Sequence, residues 1–129
     1  FMMNLEGGPC IHKRISGCGS GVEYLAVTPQ GDLYPCHQFV GEEQFIVGNV
    51  FDGITNPVVT EPFKECNCYS HPECSDCWAK LYCSGGCAAN AWHASGSLTG
   101  TVPFSCTLFR RRMECALAIQ VDQALSRQE

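Results

Sequence analysis

Four cysteines fall within residues 74–87, where they follow the spacing C-x2-C-x5-C-x3-C. A hydrophobic core does not require such a pattern. Thiolates this close together in sequence converge on a small volume, where they bind a metal or bond to one another. The chain has 11 cysteines in 129 residues, close to the level at which cysteine defines the scaffold of a small domain. We therefore expect the fold to be organised around sulfur.

Three scaffolds are compatible with this composition, namely disulfides, zinc sites and iron–sulfur clusters. An odd number of cysteines leaves one thiol over in a fully disulfide-bonded framework. Residues 1–5 lack the basic start and long apolar run of a signal peptide, so we expect a cytoplasmic protein. In that reducing compartment, clustered cysteines bind metals more often than they form disulfides. Because the first residue is Phe, we also expect a fragment of a longer chain.

The spacing within the run favours iron–sulfur clusters over zinc. A zinc site closes with two pairs of ligands, and Cys83 and Cys87 make an unusual second pair. Iron–sulfur clusters accept irregular spacings, and in two-cluster ferredoxins the last cysteine of a tight run binds the other cluster. Cys87 could cross over in the same way. A zinc-stabilised binding module without a redox role and a disulfide scaffold remain the alternatives.

Charge and hydropathy exclude two classes of partner. The net charge of −5 argues against broad nucleic-acid binding, which needs a basic face. The basic run at residues 110–112 is predicted to be a solvated helix face. No stretch approaches the roughly 18 apolar residues of a membrane span, so we expect no membrane association.

The N-terminal half reads as a loop followed by short strands. Residues 1–21 are rich in glycine and serine and predict a loop that contains Cys10 and Cys18. Residues 22–36 predict a hairpin whose turn is centred on Gly31, with Pro35 at a sheet edge or strand end. This hairpin would bring Cys36 back toward Cys18. Residues 45–50 predict another short strand.

Helices are predicted for the rest of the chain. A short helix and a loop are expected over residues 51–73, another short helix after Cys87, and a long amphipathic helix from residue 107 to about 127. Cys106 would lie near the start of that last helix. The prediction is a single small α+β domain organised by metal, with a lead-in loop at 1–16, a cluster-binding region at 17–106 and a C-terminal helix at 107–129.

Several other residues are assigned structural or minor roles. Cys66 and Cys68 are predicted to be free or peripheral thiols, and Cys115 a small buried residue of the last helix. His37, next to Cys36, is interpreted as an ordinary polar histidine. The three aromatic side chains near the run are predicted to shield the core: Trp78, Tyr82 and Trp92.

The cysteine pattern as a whole resembles a known family. Seven cysteines and one glycine occur in the order Cys18-x12-Gly31-x4-Cys36, then Cys74-x2-Cys77-x5-Cys83-x3-Cys87, then Cys106. This order resembles the SPASM domain, the C-terminal auxiliary-cluster domain of radical S-adenosylmethionine enzymes that modify peptides and proteins. Residues 21–41 and 77–87 look more narrowly like the maturases of SCIFF-type (ranthipeptide) precursors. Those enzymes install thioether cross-links from a cysteine sulfur to a carbon of another residue.

The resemblance implies two [4Fe–4S] clusters and their ligands. The first auxiliary cluster would be held by Cys18, Cys36 and Cys87, with Cys10 as a possible fourth ligand. If Cys10 does not reach it, one iron would be open to a substrate cysteine. The second auxiliary cluster would be held by four residues: Cys74, Cys77, Cys83 and Cys106.

One departure from the family limits what this chain could do alone. The catalytic core of the family uses a C-x3-C-x2-C motif, but the third position after Cys83 and Cys87 is Asn90. The chain should therefore not generate the radical itself, and S-adenosylmethionine would bind only to the missing core. The resemblance implies two partners, the radical core domain of a parent chain and a cysteine-rich precursor peptide. The domain would bind the substrate cysteine, transfer electrons, or do both.

Overall fold

The computed structural model describes Leu5 and residues 7–127. The first four residues of the segment tested for a signal peptide lie outside this range. So do position 6 of the lead-in and positions 128–129 of the predicted C-terminal helix. Among the described residues, no helix is both long enough and apolar enough to cross a bilayer.

A small antiparallel sheet forms the centre of the N-terminal half. Its four strands are β1 (Ala26–Val27), β2 (Asp32–Tyr34), β3 (Gly48–Asn49) and β4 (Gly53–Ile54), paired in sequence order. The predicted hairpin is confirmed, because Ala26 pairs with Tyr34 and the turn is closed by the Gly31 N–H bonded to the Thr28 carbonyl at 2.9 Å. Pro35 lies just after β2, as its missing N–H requires.

The strand predicted over residues 45–50 is shorter than expected. Only Gly48–Asn49 pairs with β2, and Phe45 instead belongs to a 3-10 turn at Glu43–Phe45. The pairing of β3 with β4 at residues 53–54 was not predicted. A Cβ atom at position 48 would lie 2.1 Å from the Gly53 carbonyl oxygen, so only glycine allows the two strands to approach this closely.

The helices follow the sequence pattern with two corrections. The helices are α1 (Ile11–Ser16), α2 (Glu61–Lys64), α3 (Lys80–Cys83), α4 (Ala88–Ser95) and α5 (Pro103–Ser126). The interpretation of residues 1–16 as a loop is wrong over α1. That helix is held by tertiary hydrogen bonds, from the Cys68 N–H to the Ile15 carbonyl at 3.0 Å and from the Ser84 hydroxyl to the Lys13 carbonyl at 3.3 Å.

The long C-terminal helix is confirmed, but it begins four residues before the predicted residue 107. Proline is tolerated in the first turn of a helix because its missing N–H has no partner there. Pro103 occupies that turn, and the Cys106 N–H donates to the Val102 carbonyl at 3.0 Å. The helix buries only Met113 and Ala116 among its described residues.

The core is built from aromatic rings gathered around α4. The rings of Phe39 and Phe45 lie 4.2 Å apart, and Trp92 meets Phe45 edge-on at 5.1 Å. The prediction that Trp92 shields the core is therefore confirmed. It is wrong for Trp78 and Tyr82, whose exposed fractions are 54% and 39%, because both lie on the surface of the cysteine-rich segment. The rest of the core cluster comprises Tyr34, Cys36, Phe63, Ala89 and Leu98.

Replacing Gly48 tests the close approach of β3 and β4. We expect Gly48→Ala to lower the free energy of unfolding by about 2–3 kcal/mol, because the new methyl group must push the strands apart. The control is Gly41→Ala, whose Cβ would have no neighbour within 4 Å at φ +96°. That change should cost only about 1–2 kcal/mol of backbone strain. Urea unfolding measures both variants, and equal losses would contradict the steric argument.

Candidate metal centres

The four clustered cysteines lie on a segment made of short turns and helices. Cys74 ends a 3-10 turn at Pro72–Cys74, and the Cys77 N–H donates to the Cys74 carbonyl at 3.1 Å. Cys83 is the last residue of α3. Beyond it, Gly85 and Gly86 have positive φ values of 85° and 89°. These glycines break the helix between Cys83 and Cys87.

The four cysteines predicted to hold the second cluster line one cavity. We call Cys74, Cys77, Cys83 and Cys106 the second thiol group, since they were predicted to hold the second cluster. All four line a cavity of about 290 Å³, and Cys87 lines it as well. Cys74 is buried and the other three are half-buried. The structure therefore brings together every residue that the sequence assigned to this group.

The negative charges of the thiolates in this group raise the pKa values of Cys74 and Cys83. Burial, followed by the negative charges of Cys106, Cys77 and Cys83, raises the pKa of Cys74 to about 11. Burial also raises the pKa of Cys83, and the backbone N–H groups of residues 85 and 86 oppose that shift by hydrogen bonding to its sulfur. Such mutual effects arise only between sulfurs that lie close to one another.

Helix α5 carries Cys106, the member of the second thiol group that is most distant from the others in sequence. Cys106 lies in its first turn, as predicted. The basic run on the same helix is not wholly solvated. Arg111 and Arg112 are exposed, whereas Arg110 is half-buried and lines the 290 Å³ cavity.

The three cysteines predicted to hold the first cluster lie near one another beside the sheet. We call Cys18, Cys36 and Cys87 the first thiol group, since they were predicted to hold the first cluster. Burial, followed by the charges of Cys87 and Cys18, raises the pKa of Cys36. Gln38 joins two members, since its backbone N–H donates to the Cys36 sulfur and its side-chain Nε2 to the Cys87 sulfur, each at 3.3 Å.

Two polar residues of the first thiol group were missed by sequence reasoning. The Tyr24 hydroxyl lies within hydrogen-bonding reach of the Cys18 and Cys36 sulfurs. Burial and then the charges of those two cysteines raise the pKa of Tyr24 to about 12. Tyr24 falls within the predicted hairpin without any signal of a role at the site, and Gln38 carries no sequence signal because Cys87 is remote in the chain.

The remaining cysteines partly overturn their predicted roles. Cys66 is half-buried and lines a cavity of about 30 Å³ with Cys18, while Cys68 is fully buried and lies near Cys74. Neither forms a disulfide, and their assignment as free or peripheral thiols stays a prediction. Cys10 is exposed at the start of α1. Cys115 is exposed, so its predicted burial is wrong, because α5 packs through too narrow a face to cover it.

The donor sets consist of thiols, which are the ligands of iron–sulfur clusters and of structural zinc sites. None of the 11 cysteines forms a disulfide, and all of them lie in the described part of the chain. Within residues 7–127 and at Leu5, no three His, Cys, Asp or Glu side chains form a site for one metal ion. An iron–sulfur cluster spreads its thiolate ligands over separate irons. Four thiols around a 290 Å³ cavity fit that arrangement.

Comparison with protein families agrees with this chemistry. Residues 18–78 match the SPASM family, an iron–sulfur cluster-binding domain. The match covers Cys18, Cys36, Cys74 and Cys77, which are two members of each thiol group. It supports an iron–sulfur cluster-binding role for this chain. A search of curated proteins finds no match.

The raised cysteine pKa values predict an alkaline loss of stability in the metal-free protein. The folded state favours the neutral Cys74 thiol, so its contribution is complete below about pH 9 and is lost as the pH rises through about 11. The shifts of Cys36 and Cys83 have the same sign. Urea unfolding after chelator treatment should therefore give a free energy of unfolding that falls over this range.

Two variants control for this pH dependence. Cys74→Ser should make the profile shallower, because one of the buried thiols with a raised pKa is gone while Cys36 and Cys83 remain. Cys115→Ser, at an exposed position, should leave the profile unchanged. A free energy of unfolding that stays level or rises between about pH 9 and about pH 11 would contradict the assigned shifts.

Proposed function

We propose that this chain is the auxiliary-cluster domain of a radical S-adenosylmethionine enzyme that installs thioether cross-links in cysteine-rich ribosomal peptides. The observation that supports this most directly is the gathering of its cysteines into two thiol groups. The SPASM match over residues 18–78 supports the iron–sulfur part of the proposal. The likeness of residues 21–41 and 77–87 to SCIFF-type maturases supports the thioether part.

Each thiol group would hold one [4Fe–4S] cluster. Cys18, Cys36 and Cys87 would ligate the first cluster. The second would be ligated by Cys74, Cys77, Cys83 and Cys106. When bound, such clusters supply one-electron redox chemistry at a potential that hydrogen bonds and burial adjust.

The chain's own residues would set the environment of the sulfurs. Gln38 donates two hydrogen bonds to the first thiol group, and Tyr24 adds a hydroxyl. The N–H groups of Gly85 and Gly86 serve the Cys83 sulfur in the second. Donors of this kind stabilise added negative charge on a sulfur, so they would raise the reduction potential of the group they surround.

The peptide cysteine would approach through the first thiol group. Cys18 is exposed, whereas Cys74 of the second group is buried. The radical itself would come from a core domain that binds S-adenosylmethionine, since these 129 residues contain no C-x3-C-x2-C motif. The proposed partners are therefore that core domain and a cysteine-rich precursor peptide.

Metal analysis of the protein prepared without oxygen tests the cluster assignment. We expect a brown protein with about eight irons and a similar amount of sulfide, the content of two [4Fe–4S] clusters. Cys74→Ser should lower the iron content by about half. Cys115→Ser, at an exposed position outside both groups, should keep it. A colourless protein with one or two zinc ions would instead support the zinc-stabilised binding module.

A substitution at Cys36 tests the role in peptide modification. In the intact enzyme, Cys36→Ala should preserve cleavage of S-adenosylmethionine and abolish cross-linking, because the radical is generated in another domain. Mass spectrometry of the peptide and chromatography of the cleavage product measure the two activities separately. Full cross-linking by this variant would refute the proposed role of the first thiol group.

A further inference from the structure

Gln38 contacts helix α4 near both of its ends. Its side-chain Nε2 donates to the sulfur of Cys87, the residue just before α4, at 3.3 Å. Its backbone carbonyl lies 3.3 Å from Nε2 of His93, in the last turn of the same helix. A carbonyl only accepts hydrogen bonds, so the His93 Nε2 is the donor. Since the Gln38 backbone N–H also donates to the Cys36 sulfur, one residue joins two members of the first thiol group to His93.

Two further contacts hold the His93 ring. Its Nδ1 lies 3.4 Å from Oε1 of Glu42, and both side chains are partly shielded from solvent. The centroid of the ring is 5.8 Å from that of Phe39, which is fully buried in the core. Phe39 follows Gln38 directly, and the Glu42 N–H donates to the Phe39 carbonyl at 3.1 Å. His93 is therefore fixed against the segment that carries Gln38.

The side chain of Gln38 needs such support. Gln38 is exposed, and ordering an exposed glutamine costs side-chain entropy. Its partner, the Cys87 sulfur, is a weak acceptor that offsets little of this cost. The bond from His93 to the Gln38 carbonyl fixes the backbone from which the side chain extends. The amide then starts within reach of the sulfur, and the turn that carries it cannot drift away from α4.

We propose that His93, held by Glu42, is a positioning residue that keeps the Gln38 amide on the Cys87 sulfur and thereby raises the reduction potential of the first thiol group's cluster. This inference rests on the proposed function, in which that group holds an iron–sulfur cluster. A sulfur bound to iron still accepts hydrogen bonds, and donors to it favour the more negative, reduced state. His93 acts on the cluster through Gln38.

Redox titration of the intact protein, followed by electron paramagnetic resonance, measures this effect. We expect Gln38→Leu and His93→Leu each to shift the potential of the first cluster to a more negative value. The double variant should shift it no further than Gln38→Leu alone, because His93 acts through Gln38. His93→Gln should keep the wild-type potential, since a glutamine amide can donate from about the position of the histidine Nε2.

Two controls make the measurement specific. A Cys74→Ser background, which lacks a ligand of the second cluster, identifies the signal of the first, and S-adenosylmethionine marks that of the catalytic core. The matched control variant is His12→Leu. His12 is another exposed histidine beside a glutamate, with its Nε2 3.7 Å from Oε1 of Glu23. Its loss should leave the potential unchanged.

The outcomes that overturn the proposal are equally specific. A wild-type potential in Gln38→Leu or His93→Leu would do so. Shifts that add in the double variant would mean that His93 acts independently of Gln38, which also contradicts the proposal. If His93→Leu loses iron, the glutamine variant decides. Iron kept in His93→Gln would support positioning through the Nε2 donor, and equal losses in both variants would contradict it.

The position of the Gln38 amide can also be observed without a cluster. Nuclear magnetic resonance of the metal-free protein reports the side-chain N–H groups of Gln38. His93→Leu should move their signals toward those of a free glutamine, whereas His12→Leu should leave them in place. Unchanged Gln38 signals in His93→Leu would refute positioning by His93.

These measurements separate the two levels of the argument. Wild-type protein without iron and sulfide would overturn the proposed function, and with it the effect on a cluster, while the Gln38 signals would still report whether His93 positions the amide. An unshifted potential in His93→Leu that holds both auxiliary clusters would overturn only the role of His93.

Discussion

The structure depends on a reversal of the backbone at residues 84–86, where three successive residues have positive φ. Without this reversal α3 would continue, and Cys83 and Cys87 would lie four residues apart on one helix face. The turn instead lets both line the 290 Å³ cavity, while the Cys87 sulfur also accepts a hydrogen bond from Gln38, whose backbone N–H donates to Cys36. It is held by the Ser84 hydroxyl, which donates to the Lys13 carbonyl. At Gly85, a Cβ would lie 2.8 Å from the buried His71 ring.

The stability of the fold and the binding of metal both depend on the protonation state of the partly buried thiols. Gathering thiols in partly buried positions raises the pKa of Cys36, Cys74 and Cys83, so the metal-free protein keeps them neutral. Metal ligation requires thiolates, and it therefore releases protons that the fold otherwise retains. The amide donors of residues 38, 85 and 86 oppose the shifts at Cys36 and Cys83. Cluster binding and folding are consequently coupled through the same sulfurs.

Local sequence patterns predicted the features that local physics controls. The turn residues before Gly31 predicted the hairpin, and the alanines after Cys87 predicted α4. These local patterns failed where contacts between distant residues determine the structure. Helix α1 lies between glycine-rich flanks that suggest a loop, yet hydrogen bonds from distant residues stabilise it. Cys115 has helical spacing typical of burial, but nothing within residues 7–127 covers that face of α5.

The least predictable part of the site is the segment 66–71, which lies between the two thiol groups. Cys66 lies by Cys18, and Cys68 lies near enough to Cys74 to raise its pKa. His71 is buried, donates through Nδ1 to the Gly100 carbonyl oxygen at 3.2 Å, and packs against Gly85. A spacing pattern shows which cysteines are close in sequence. It does not show that another segment packs against both thiol groups. Because this segment touches both groups, a change in the metal content of one should alter the packing of the other.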